Sequence, residues 1–169
     1  MLGVALTALL ALAGCERYFQ RPQCGTLIQP GDLGSWQLGD AGTAQRRASG
    51  LLWYRCNAGE RFVGGQCLGE ALTLSLDDAK AYVAEVAAAS GKPWRIPTRS
   101  EMSDLREDAC INPAVNPQVF PSIMVDHYWA SDRSPSHSLG CSFYTFNGHS
   151  FCREASGQQR PFWMVLDQS

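Results

Sequence analysis

Trp94-Arg95-Ile96-Pro97-Thr98-Arg99-Ser100-Glu101 is the stretch on which the fold turns: an extended lead-in that delivers the chain into a capped helix. Pro97 pushes Ile96 toward extended backbone. Thr98 is a strong N-cap, and Glu101, three residues on, completes the reciprocal box that satisfies two orphan backbone N–H groups. Met102 and Leu105 give the short helix its apolar stripe, and Asp104 adds negative charge in its early turns. Trp94 offers a large apolar face beside Arg95, whose guanidinium can fork onto a carboxylate or onto backbone carbonyls. The octapeptide contains neither a nucleophile nor a metal-ligand set, so its reading is a structural corner.

Upstream of this corner a second helix is expected. Ser75 is its N-cap, with Asp77 and Asp78 at the positive end of the dipole, and Leu76, Ala79, Val83, Val86 and Ala87 recur at helical spacing. Gly91 and Pro93 stop it. Further back, Leu51-Leu52-Trp53-Tyr54-Arg55-Cys56 is apolar and aromatic enough for a buried strand. Residues 16 to about 50 read as a tether running into a poorly periodic segment, interrupted by Gly25, Pro30, Gly31, Gly34, Gly39 and Gly42 and pinned by Cys24 and Trp36. Downstream, Asn112-Pro113 and Asn116-Pro117 initiate turns and Tyr128-Trp129-Ala130-Ser131 is a short aromatic strand. A Ser/Pro/His loop, a hairpin over 141–152 and a closing strand, Phe162 to Leu166, follow.

The 169 residues suit one domain with a real core, and 45% hydrophobic and 10% aromatic content agree with that. A net charge of −2 argues against a nucleic-acid partner, which needs a basic surface. Seven cysteines point to an oxidising compartment. Leu2 to Ala13 is an apolar run too short to span a bilayer comfortably and reads as the core of a signal peptide. It ends in Leu12-Ala13-Gly14-Cys15, which resembles the bacterial lipobox, so residues 1–14 are expected to be removed and Cys15 lipidated. No Lys or Arg precedes the run, which leads to the expectation that the true start lies upstream. Several acyl chains on Cys15 would anchor the protein stably to a membrane, and Glu16 in place of Asp implies, by resemblance to lipoprotein sorting, the outer membrane.

With Cys15 spent on lipid, six cysteines remain, an even number, which a disulfide framework requires. Cys56 and Cys67 bracket turn-rich sequence, and Cys141 and Cys152 bracket Asn147-Gly148, the strongest short hairpin signal. Cys24 and Cys110 pair by elimination. Zinc is the rival reading, but no Cys-x-x-Cys pair occurs.

Gly50-Leu51-Leu52-Trp53-Tyr54-Arg55-Cys56 with Cys67, Ala79-Lys80-Ala81-Tyr82, Trp94-Arg95-Ile96-Pro97-Thr98 with Glu101, Phe120-Pro121, and Tyr128-Trp129-Ala130-Ser131 together resemble the Legionella collagen-like protein C-terminal (Lcl C-terminal) domain family. They run in that family's order over roughly residues 44 to 167. Two features depart from its pattern: Leu76 stands where Trp is frequent, and the ending Phe162 to Leu166 replaces a Val-Arg-rich strand. The resemblance implies an α+β, C-type-lectin-like fold, with two helices packed on small twisted antiparallel sheets and long disulfide-stapled loops. It implies a relation to formylglycine-generating enzymes but no reaction. The expected organisation is a lipoprotein signal peptide at 1–14, a lipidated N-terminal tether and pinned segment at 15–43, and the Lcl C-terminal-like domain at 44–169. Trp53, Trp94, Arg95, Pro97, Thr98, Glu101 and Trp129 are its structural motif residues.

The chemistry-bearing residues are few. No two of His127, His137 and His149 have the spacing of a helical metal site. Calcium-dependent sugar binding of the lectin type would need Glu-Pro-Asn or Gln-Pro-Asp with Trp-Asn-Asp, and these are absent. Stacking on a sugar ring is open to Tyr128, Trp129, Phe143 or Tyr144, and core packing explains them equally well. An oxidase would need Cys141 and Cys152 as reactive thiols. No catalytic residue, metal or cofactor is expected. The expected function is a non-catalytic, lipid-anchored binding or assembly module of the cell envelope, meeting an envelope protein or a surface glycan from the periplasmic or outer face. A formylglycine-generating-type oxidase and a periplasmic immunity or inhibitor lipoprotein are the alternatives.

Overall fold

The computed structural model describes residues 21–47, 49–134 and 139–166. Cys15, the apolar run before it and His137 lie outside them.

Local sequence sets the helices. A short turn, α1 (Cys24–Leu27), is followed much later by α2 (Leu76–Ser90) and α3 (Arg99–Ser103). Ser75 Oγ accepts from Asp78 N at 3.2 Å to start α2, and Gly91, with φ 65°, ends it in the left-handed conformation that glycine adopts without strain. Five residues of α3 are too few to persist on propensity. The capping box at Thr98 and the burial of Met102 and Leu105 supply what propensity does not.

The strands form three antiparallel sheets among the described residues. The largest runs β1 (Trp36–Gly39), β2 (Thr43–Arg46), β3 (Leu52–Tyr54), β10 (Val165–Leu166), β6 (Trp94–Arg95). Val165 lies opposite Trp53 on one side and Arg95 on the other, so the late strand β10 joins the two halves of the chain. A two-stranded hairpin, β4 (Arg61–Val63) with β5 (Gln66–Leu68), fills the Cys56–Cys67 loop. The third sheet orders β7 (His127–Arg133), β8 (Leu139–Tyr144) and β9 (His149–Ala155).

Alternation along β3 divides the core. Trp53 points into one cluster, where it meets Trp36, Phe120 and Trp163 edge-on at ring separations of 6.4, 6.1 and 6.4 Å respectively. Tyr128 stacks on Trp163 at 3.9 Å. Tyr54, one residue on, packs toward a second cluster of Leu76, Ala79, Val83, Ile96, Trp129 and Phe162 under α2. A buried polar network ties the Cys56 loop to the 120s: Tyr128 Oη donates to Asn57 Oδ1 at 2.8 Å, Asn57 Nδ2 to Ser122 O at 2.9 Å, and Ser122 Oγ to Glu60.

Three bonds staple the loops: Cys24–Cys110, Cys56–Cys67 and Cys141–Cys152. The segment read as a pinned tether up to residue 43 contributes α1, β1 and the start of β2, and Trp36, expected to pin it, is only 3% exposed and covers the aromatic core on β3. Cys110 lies seven residues beyond Ser103, the last residue of α3, just after the turn at 108–109. The closing strand, expected from Phe162, is regular only over Val165–Leu166; before it Phe162 O accepts from Ala58 N at 3.0 Å and Met164 O from Tyr54 N at 2.9 Å, while the Phe162 and Trp163 rings turn into the two cores.

Candidate functional site

The corner at Trp94 opens onto a groove of about 350 Å³ between α2 and β6. Helical spacing brings Lys80, Val83 and Ala84 to one wall, and Trp94, Arg95 and Ile96 form the other. Thr98 and Ser131 complete the lining. Ser131 N donates to Pro97 O at 2.8 Å, which fixes β7 against the corner. The walls are mostly apolar, and their two ionisable residues are cations.

Those cations differ in their freedom. Arg95 forks onto Glu101, with Nη2 to Oε1 at 2.6 Å and Nη1 to Oε2 at 2.9 Å, and the same Oε2 accepts from Thr98 N at 2.7 Å. Burial pushes the Glu101 carboxyl upward, but the hydrogen bonds from Arg95 and Thr98 and the guanidinium charge together hold it below the usual carboxylate range. Among the described residues Lys80 Nζ makes one hydrogen bond, to Ser131 O at 3.0 Å. Burial, with Arg133 adding repulsion, lowers its pKa against the attraction of Asp77 and Asp132. Trp94 is half-buried and meets Tyr54 edge-on at 6.3 Å, so its ring is both a wall of the groove and part of the second core's margin.

Two other polar clusters lie outside the groove. His127 stacks on Tyr144 at 4.4 Å, and its Nδ1 lies 3.0 Å from Ser142 Oγ and 3.4 Å from Glu154 Oε1. A base that activates a hydroxyl needs one ring nitrogen on the hydroxyl and the other on the carboxylate. Here both partners reach the same nitrogen, and Ser142 is fully buried, so the cluster is no nucleophile site. Arg160 ties it together through Glu154 and Asp126. Burial lowers the His127 pKa against the pull of Glu154. The second cluster is an open recess where Arg99, Ser100, Ser103 and Arg106 face His149 and Ser150 at the tip of the β8–β9 hairpin.

Cys56, Cys67 and Glu60 lie close enough to suggest a metal centre, but the two sulfurs are bonded to each other and offer no thiolate. Cys141 and Cys152 are likewise joined, across β8 and β9, with Cys141 fully buried. Of the two readings open to the aromatics, core packing holds for Tyr128, Trp129 and Phe143, which are fully buried and have no face to offer a sugar; Tyr144 is half-buried against His127. Trp53 and Trp129 are core residues, with Trp129 Nε1 donating to Leu74 O at 2.8 Å. Pro97 is buried beneath the corner. Sequence reasoning missed Lys80 as a site residue. The available signal was that the chain holds only two lysines, Lys80 and Lys92, and that Lys80 stands one turn before Val83 and Ala84 on an alanine-rich helix.

These features define a small α+β domain with three antiparallel sheets, stapled by three disulfides and carrying a shallow apolar groove at a capped corner. The chain belongs to the Lcl C-terminal domain family, whose model matches residues 42–166. No curated protein and no solved structure matches it. Among the described residues no helix is long and apolar enough to cross a membrane.

Proposed function

We propose that this chain is a non-catalytic binding or assembly module of the bacterial cell envelope, C-type-lectin-like in fold, tethered to the outer membrane by lipid on Cys15 and acting through protein or glycan contacts. The observation that carries the binding reading is the groove at the corner: a cavity walled by Val83, Ala84 and the half-buried Trp94 ring, with a lysine at its side and no nucleophile–base pair in it. The bonded state of Cys141 and Cys152 favours this reading over the oxidase, whose chemistry needs thiols.

Ala84 is exposed and lines the groove, so Ala84→Phe fills it from the solvent side without entering the core. Affinity isolation of the detergent-solubilised chain should recover a protein or glycan in stoichiometric amount, and Ala84→Phe should lose it. Equal recovery with both chains refutes the groove as the binding site. Intact mass of the membrane fraction should show a diacyl or triacyl adduct on an N-terminal Cys15; a mature chain that retains Met1 refutes the anchor.

A further inference from the structure

The groove has a chemical bias. Its ionisable wall residues are Lys80 and Arg95, and Arg95 is committed to Glu101 through both of its terminal nitrogens. Lys80 spends one of three N–H donors on Ser131 O and carries its charge into an apolar setting beside Val83. The carboxylates that act on it from outside the walls are already engaged: Asp77 pairs with Arg133, and Asp132 accepts from Arg99 N at 2.5 Å. An anionic group arriving at Lys80 therefore meets an ammonium with donors to give and no carboxylate among the groove's walls.

The shape narrows the ligand further. Trp94, Arg95 and Ile96 run consecutively along the groove, and among the described residues β6 is the last strand of its sheet, paired with β10, with Trp94 N already donating to Lys92 O at 2.8 Å, so the edge has room for a chain end rather than a long added strand. An edge strand next to a side-chain pocket is the arrangement that accepts extended peptide. A volume of about 350 Å³ suits one side chain and a chain terminus, not a folded surface. We propose that the groove receives the C-terminal carboxylate of a partner polypeptide that ends in a compact apolar residue, with Lys80 on the carboxylate and the last side chain against Val83, Ala84 and Trp94.

This assignment rests on the binding reading above, but its test needs no natural partner. The probe is N-acetyl-leucine, which carries the terminal carboxylate, compared with N-acetyl-leucinamide, which has the same body without the charge. The full chain, labelled with nitrogen-15 and held in detergent micelles, is titrated with each while the indole N–H signal of Trp94 is followed. The acid should shift that signal saturably, with Kd about tenfold below that of the amide, the increment of one charge-assisted hydrogen bond. Lys80→Met keeps the stem and should bring the acid down to the level of the amide, and Ala84→Phe should abolish both shifts. The buried Trp163 indole should stay in place throughout and so reports an intact fold. Equal affinity for acid and amide in the native chain, or a preference that survives Lys80→Met, overturns the proposal. Each failure has its own signature. A partner retained by Ala84→Phe fails the earlier reading while leaving this titration standing, and an undiscriminating titration fails only the carboxylate.

Discussion

Glu101 is the residue whose removal tests the corner most directly. Its two oxygens take three hydrogen bonds, two from the Arg95 fork and one from Thr98 N, while its own N–H donates to Thr98 Oγ1 at 3.3 Å. The Arg95 and Glu101 side chains are 34% and 25% exposed, so the ion pair is worth about 1 kcal/mol, the upper end for pairs in contact with solvent. Losing the acceptor for the cap N–H adds about 1–2 kcal/mol. Glu101→Ala should thus cost about 2–3 kcal/mol, and Glu101→Gln, which keeps an acceptor but no charge, about 1 kcal/mol. The assay is urea unfolding of the oxidised protein at about pH 7 and again at about pH 2.5, with the linkage worked through. Glu101 titrates lower in the folded chain than in the unfolded one. Its contribution is therefore fully present above the ordinary carboxylate range and is lost as pH falls through the depressed folded value. The gap between native and Glu101→Gln should narrow in acid. A gap that stays constant with pH, or a cost below about 0.5 kcal/mol for Glu101→Ala, refutes the argument.

Trp129→Ala should cost about 3–5 kcal/mol in the same assay, and the half-buried Trp94→Ala distinctly less; equal costs would mean that the burial assigned to the two rings is wrong. Tyr128→Phe removes the donor to the fully buried Asn57 and the acceptor for Met124 N, and should cost about 1–3 kcal/mol by thermal or urea unfolding despite the near-identical shape. A neutral result would show that water replaces the hydroxyl. Paired Cys→Ala replacements should rank by loop length, about 4–5 kcal/mol for Cys24 with Cys110, which lie 86 residues apart, and about 3 kcal/mol for each pair 11 apart. Melting of the three double variants decides it, and the reverse order would contradict the chain-entropy account.

What was legible in the sequence was local. The caps at Ser75 and Thr98 are decided by residues three apart, and α2 runs from Leu76 to Ser90 between the Ser75 cap and Gly91. The Asn147-Gly148 turn is equally self-contained, with Gly148 at φ 71°. The cysteines yielded because two of the pairs close short, turn-rich loops, leaving the third pair as the remainder. What escaped was set at long range. Trp36 carries no periodic pattern around it, and β1 and β2 are strands because β3 offers an edge to pair with and Trp53 and Phe120 offer rings to meet. The groove was hidden for the same reason: Lys80, Trp94 and Ser131 belong to three elements that only the tertiary fold brings together. Tyr128 and Trp129 are aromatic neighbours in sequence, and only their burial shows that both serve the core, from opposite faces of one strand.

The position of β10 between β3 and β6 has a consequence for how the chain is made. A chain emerging from amino to carboxyl end presents Leu52–Trp53 and Trp94–Arg95 as unpartnered edges until Val165 and Leu166 arrive to pair with both. Until then the main sheet exists only in pieces, and Trp163, which closes over Trp53 and Phe120, is missing from the core. Completion of the main sheet therefore waits on the last stretch of the described chain. A product that stops before Val165 loses a keystone rather than an appendage, and it should meet the cell's proteases with two bare strand edges and an open aromatic core.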